Sequence, residues 1–200
     1  MTNRMTHSSR HLTLLLAAAL PLAGCVSFAA KPPPSLLTIT TAAQIPADQT
    51  QSSATGTTIT IQVPTVPQAI ATLRVPVQTG GSIAYLKNAQ WVEPPARLFA
   101  RLTADTLTAQ GRVVLTPAQS FSDPGARLSG ELRNFGVDGS GSAGLVTFDA
   151  ALIRTAQGPV EKRRFEARVP IDRIAPHEAG AAINQAANQV AGEVAAWVGK

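Results

Sequence analysis

Residues 160–169 alternate so regularly that few structures can hold them. Phe165, Ala167 and Val169 fall on one side of the chain and Lys162, Arg164, Glu166 and Arg168 on the other. With a period of two this is a strand with one face in a core and one in water. Its partners precede it: residues 126–137 and 144–154 are of similar length. Gly139-Ser140-Gly141-Ser142 and Gln157-Gly158-Pro159 separate the three as turns. In the first of them Leu128, Gly130 and Leu132 share a phase that Phe135 and Val137 break, which predicts a bulge near Asn134.

Upstream, residues 36–41 and 57–63 are rich in threonine and isoleucine, and a polar loop over 47–57 lies between them. Ile59, Ile61 and Val63 alternate with Thr58, Thr60 and Gln62 as a half-buried strand until Pro64 and Pro67. Leu73, Val75 and Val77 also alternate, and Pro76 would confine them to a sheet edge because proline donates no ladder hydrogen bond. Residues 82–86 are a further short strand, leading to Trp91 and Pro94-Pro95.

Prolines suit a helix start, so a helix is expected over 95–110, with Leu98, Phe99, Leu102 and Thr106 on its apolar face and Leu107 off it. Gly111 stops that helix and 112–115 returns as a strand. After Pro176 a last helix sets Ile183, Ala187, Val190, Val194 and Trp197 in a narrow stripe flanked by alanines. The stripe is expected to close on its own sheet, with another chain as the alternative. The fold class is α+β: a mostly antiparallel β-sheet with two long α-helices packed on one face. No internal repeat or heptad run is present.

The front of the chain has a different logic. Arg4 and Arg10 precede a nine-residue stretch, 12–20, that is apolar except for Thr13, then Pro21 and Leu22-Ala23-Gly24-Cys25. A membrane-spanning helix needs about 20 apolar residues, so this segment is too short. The arrangement resembles a bacterial lipoprotein signal with its lipobox. That resemblance implies a signal peptide over 1–24, cleavage between Gly24 and Cys25, and covalent lipid on Cys25, the only cysteine of the 200 residues. Residues 25–35, with Lys31-Pro32-Pro33-Pro34, would be an extended tether, and 36–200 the domain. The alternative is an ordinary secreted protein with a free thiol. Val26 in place of aspartate after the cysteine favours an outer-membrane address.

The formal charge of the full chain is +5; loss of Arg4 and Arg10 leaves 15 basic residues against 12 acidic, about +3. With 4% aromatic residues, a base-stacking nucleic-acid surface is not expected. After residue 25 the chain has one histidine, His177, at the predicted start of the last helix. A histidine and cysteine zinc site and a Cys-His pair are therefore ruled out, and a Ser-His-Asp triad would have to recruit a helix terminus. The segment 139–144 lacks the Lys-Ser/Thr of a phosphate loop. No spacing singles out a carboxylate pair. Neither metal nor cofactor nor catalysis is expected. Trp91 is expected in the core, and Lys162-Arg163-Arg164, with Arg168 and Arg173, on a solvated face or against an acidic partner or lipid.

The order of these features, and above all Ile83-Ala84-Tyr85-Leu86-Lys87-Asn88-Ala89-Gln90-Trp91-Val92-Glu93-Pro94-Pro95-Ala96-Arg97-Leu98, resembles the ABC-type transport auxiliary lipoproteins, the PqiC-like group. Leu37-Thr38-Ile39 stands where that family usually has Tyr-x-Leu. The resemblance implies a non-enzymatic, lipid-anchored outer-membrane protein facing the periplasm. It would assist an MCE-domain protein and ABC transporter subunits in lipid transport between the membranes, and could form a homo-oligomer. A lipid carrier with a groove between sheet and helices, or a structural envelope lipoprotein, are the alternatives.

Overall fold

The computed structural model describes residues 36–199 apart from 49, 55, 122–124 and 156. The expected signal peptide, Gly24, Cys25 and the tether lie outside the described residues. In chain order the elements are β1 (Thr58–Ile61), β2 (Arg74–Thr79), β3 (Ser82–Gln90), α1 (Pro95–Ala109), β4 (Val113–Leu115), β5 (Ala126–Asp138), β6 (Ala143–Ile153), β7 (Val160–Pro170) and α2 (Pro176–Val198). Single 3-10 turns occur at Gln68–Ile70 and Gln119–Phe121.

All seven strands share one sheet organised around β5. One edge of β5 pairs antiparallel with β6, which pairs antiparallel with β7. The other edge is divided: β1, with β4 beyond it, runs parallel to the first part of β5, while β2, with β3 beyond it, meets the last part. Three of the six pairings are thus parallel, so the sheet is mixed rather than mostly antiparallel. The reason is connectivity. A parallel neighbour needs a long crossover, which α1 supplies between β1 and β4, and such a link leaves no mark in a strand's own pattern. The α+β class and the two helices on one face hold.

The expected bulge is present, with the register of β5 on β6 shifting between Leu132 and Asn134. It keeps Leu128 and Leu132 before it, and Phe135 and Val137 after it, in the same core. Three tilted aromatic pairs tie the layers together: Trp91 on Phe135 at 5.2 Å, Phe99 on Phe148 at 5.0 Å and Phe165 on Trp197 at 5.5 Å between centroids. Helix α2 sits directly on β6. A Cβ on Gly144 would lie 2.7 Å from the Ala182 carbonyl carbon, so only glycine permits this approach.

Several expectations are corrected. Residues 36–41 form no strand; Leu37 makes one isolated bridge to Trp91, and the segment then runs along α2. There Asn184 Oδ1 accepts from Thr40 N–H (2.9 Å), while Asn188 Oδ1 accepts from Ala42 N–H (2.8 Å) and its Nδ2 donates to the Thr40 carbonyl (2.9 Å). Two side-chain amides one helical turn apart replace a neighbouring strand. In β1 both faces are covered near Ile59. Thr58 and Thr60 are buried, whereas Val63, beyond the strand's end, is exposed. Strand β2 is internal, and its Pro76 falls where the register on β3 shifts between Arg74 and Pro76.

Strand β3 continues past Leu86 to Gln90, its register on β2 shifting between Tyr85 and Gln90, a stretch in which Asn88 has a φ of 56°. Leu107 is fully buried because the chain folds back under the last turn of α1, with Arg112 N–H donating to the Leu107 carbonyl (3.1 Å). Thr106 is half-buried. The apolar face of α2 is broad rather than narrow, since Ala179, Ala182, Ala186, Ala191 and Ala195 are buried with Ile183, Ala187, Val190 and Val194 of the predicted stripe, while its Trp197 is half-buried. The alanines let the helix lie close to both the sheet and α1.

Truncation of both Asn184 and Asn188 to alanine is expected to deprotect the Thr40 and Ala42 amides in hydrogen exchange, with protection in β5 and β6 retained. The cost should be about 1 kcal/mol per lost bond. Trp91→Ala should cost about 3–5 kcal/mol in urea unfolding. Trp91→Phe should cost far less, because the buried indole Nε1 has no hydrogen-bond partner among the described residues to lose.

Candidate functional site

The Tyr-to-Trp segment is architectural. Trp91 has no exposed surface and stands between the helices and Phe135, as the sequence led one to expect. Tyr85 is half-buried, donates to the Ala69 carbonyl (3.3 Å) and carries the Arg74 guanidinium over its ring at 3.8 Å. Pro95 opens α1, and Glu93 pairs with Arg101 one and a half turns into it. His177 is exposed in the first turn of α2, where the nearest charged pair is Arg173 with Glu178. Residues 139–142 form the β5–β6 turn, in which Asp138 Oδ1 accepts from the Ser140 and Gly141 amides (both 3.0 Å). Among the described residues no group of three or more His, Cys, Asp or Glu could hold a metal ion. Nor is any described helix long and apolar enough to cross a membrane.

The chemistry concentrates on the face of the sheet that carries no helix. Asn134 Nδ2 donates to Thr147 Oγ1 (3.1 Å), and Thr147 donates to Glu166 Oε2 (2.9 Å), so one polar line crosses β5, β6 and β7. Arg168 joins its end, bonded to both Glu166 (3.1 Å) and Asp138. Beside it Arg164 grips Asp149 with two bonds of 2.6 and 2.7 Å, and Arg133 reaches Glu131 (3.3 Å) and Asp149 (3.5 Å). The Gly141 amide, then Arg168, hold the Asp138 carboxyl below its ordinary range, and Arg164 does the same for Asp149. The Lys162-Arg163-Arg164 run is split as strand geometry requires. Arg164 is paired on this face, and Arg163 lies over the Phe165 ring at 4.8 Å. Neither Lys162 nor Arg127, on the same face, makes an ion pair among the described residues.

A groove of about 550 Å³ opens in this face where the edge of β5 changes neighbours. The β1 side reaches as far as Glu131, bridged to Thr65, with Leu132 N–H donating to the Thr65 carbonyl (2.9 Å). The β2 side begins at Val137. Rungs of a parallel ladder recur every two residues, and the rung below Gln78 falls on Pro76, which has no N–H. Among the described residues, 133–136 therefore have no strand partner on that side. The Phe135 side chain points away to Trp91, so the β5 main chain lines the groove. Gly136 lets Pro76 close in, since a Cβ there would lie 2.5 Å from the Pro76 carbonyl oxygen. Leu145 and Ile70 add apolar floor, and Ile83, 49% exposed, forms a wall.

Sequence reading did not find this groove. Its signal was an apolar residue in the polar phase: Leu145 faces out beside Arg168, its partner across the ladder, while Val146 faces the core. The space between sheet and helices is packed with the core side chains.

The described residues form a mixed sheet of seven strands backed by two helices. The sequence matches the family described as ABC-type transport auxiliary lipoprotein component over residues 38–195, and the chain belongs to that family. Among solved structures it resembles protein XCC0632 from Xanthomonas campestris, with 18% identity and a TM-score of 0.67, covering 82% of this chain and 94% of that one. A second similar structure, of an uncharacterised protein, has 20% identity and a TM-score of 0.62 and covers 71% and 92%. At these identities the likeness is one of fold. No curated protein matches the chain.

The lowered carboxyls of Asp138 and Asp149 set a pH dependence. Their contribution to stability is complete above the unfolded carboxylate value of about 4 and is lost as pH falls through the still lower folded values. Asp105 acts in the opposite sense, because burial raises it and its neutral form is the better tolerated one. The urea midpoint should hold steady from pH 7 to 5 and fall below pH 4. A double Asp138→Asn, Asp149→Asn variant should show a shallower acid fall, measured by urea unfolding at pH 6 and pH 3.

Proposed function

We propose that this protein is acylated at Cys25 after cleavage of residues 1–24 and serves as a docking component of an MCE-type, ABC-driven lipid transport system, tethered to the outer membrane and facing the periplasm. The supporting observation is the juxtaposition of a lipobox ending at Cys25 with a family match that starts 13 residues later and runs through almost all of the domain. Several acyl chains hold a protein firmly where one holds it weakly, at about 0.8 kcal/mol per buried methylene. The prolines after the cysteine keep an extended spacer between bilayer and domain. The domain supplies a rigid platform with a surface for partners, and ATP hydrolysis falls to the transporter. Docking is favoured over carriage of a whole lipid inside the domain because the sheet-to-helix space is occupied by side chains.

Cys25→Ala should leave an uncleaved precursor that takes up no labelled palmitate and leaves the outer-membrane fraction, while the domain's thermal unfolding is unchanged. The parent protein should recover an MCE-domain protein in a crosslinked pull-down. Retention of the variant in the outer membrane would overturn the anchoring, and recovery of secretion or cell-wall components in place of the transporter would overturn the assignment of partner.

A further inference from the structure

We propose that the sheet edge at the end of β3, where the front of the chain joins the domain, rests on an anionic phospholipid surface, the bilayer that holds the lipid of Cys25. The proposal rests on the anchoring reading above and says which side of the domain meets the membrane. The first observation is an apolar rim at the point of entry. Leu37 N–H donates to the Gln90 carbonyl (2.7 Å), Val92 N–H to the Leu37 carbonyl (2.8 Å) and Trp91 N–H to the Leu73 carbonyl (2.7 Å). These bonds gather Leu36, Leu73 and Val92 at one place, and all three are left exposed, at 51%, 40% and 48%. Strand β3 is outermost on this side of the sheet, so among the described residues no further strand covers the rim. At a headgroup boundary such side chains bury apolar area that stays wet in a domain held in water.

The second observation is charge. From residue 62 to 104 the chain carries Arg74, Lys87, Arg97 and Arg101 against the single acid Glu93, a net +3, whereas from 105 to 199 nine basic residues meet ten acidic ones. Glu93 is taken by Arg101. Arg74, Lys87 and Arg97 are exposed and make no ion pair among the described residues. Arg74 is in register with Gln90, Lys87 lies between Tyr85 and Gln90 on β3, and Arg97 is in the first turn of α1, so the three border the rim. A cation in a first helical turn opposes the helix dipole, and an external anion relieves that opposition. Near an anionic leaflet each such cation gains from the surface potential, within a Debye length of about 8 Å. The third observation is reach. Residues 25–35 span at most about 36 Å, and β7, the other edge of the sheet, lies four strand spacings of about 4.8 Å beyond β3. A tether of this length limits the separation without enforcing it, so the entry edge is the side it brings to the bilayer. A second copy of the chain would set like charges face to face.

The test places an environment-sensitive fluorescent amino acid at Val92 of the full-length protein, reconstituted in vesicles of phosphatidylethanolamine and phosphatidylglycerol that carry a nitroxide quencher at headgroup level. Val160, 55% exposed on β7 at the opposite edge, is the control position. Quenching at Val92 should exceed that at Val160 about threefold or more. Lys87→Glu combined with Arg97→Glu should bring Val92 down to the Val160 level while the protein still floats with the vesicles. Both substituted positions are exposed, and a thermal melt equal to the parent's confirms the fold. Equal quenching at the two edges, quenching indifferent to the charge reversals, or a Val92 probe equally shielded in detergent by a second copy or a protein partner would each overturn the proposal. If the acylated protein floats with the vesicles while Val92 stays unquenched, the edge contact fails and the anchoring survives. If mass spectrometry finds no acyl chain on Cys25 while Val92 is quenched, the anchoring fails and the edge contact survives.

Discussion

Strand β5 has to satisfy one neighbour along its whole length and two neighbours in succession along its other edge, and most of the domain follows from that constraint. Its pairing with β6 runs the length of both strands and supplies the continuous ladder. The bulge after Leu132 turns Phe135 and Val137 back toward the helices, where Phe135 meets Trp91. Without that half-turn the second half of the strand would present Phe135 to water and Asn134 to the core. The same bulge marks where β1 gives way to β2, so the device that preserves the core also opens the sheet edge. Pro76 keeps it open, because the residue due to donate the next rung has no proton to give.

The helices read this sheet closely. Helix α2 uses alanine on the inside so that Gly144 can touch its backbone, and asparagine on the outside to hold the segment around Thr40 and Ala42. The segment from Leu37 to Ala42 is thus held by side-chain to main-chain bonds together with the Leu37 bridge to Trp91.

Membership of the auxiliary lipoprotein family and the character of the helix-free face fit together in physical terms. Most charges there are paired across strands, which makes the face rigid and close to neutral at its centre. Exposed pairs of this kind contribute little stability, about 0–1 kcal/mol each, so their arrangement matters more for what they leave uncovered. What they leave uncovered is an apolar floor beside a stretch of strand backbone.

Sequence alone determined the local facts: the three long strands and their turns, the bulge near Asn134, both helix starts at proline, the burial of Trp91, and the motif by which the family is recognised. Each is written in the period of the side chains or in residues whose backbone preferences are strong, and neither depends on distant parts of the chain. Tertiary structure alone decided the rest. That β1, β4 and β2 lie parallel to their neighbours, that residues 36–41 bind to asparagines rather than to a strand, that Leu107 is covered by the returning chain, and that Pro76 sits inside the sheet beside Gly136 all depend on which segments meet. Long-range pairing is chosen by loop closure and by the area each arrangement buries, and neither quantity is carried by any short stretch of residues.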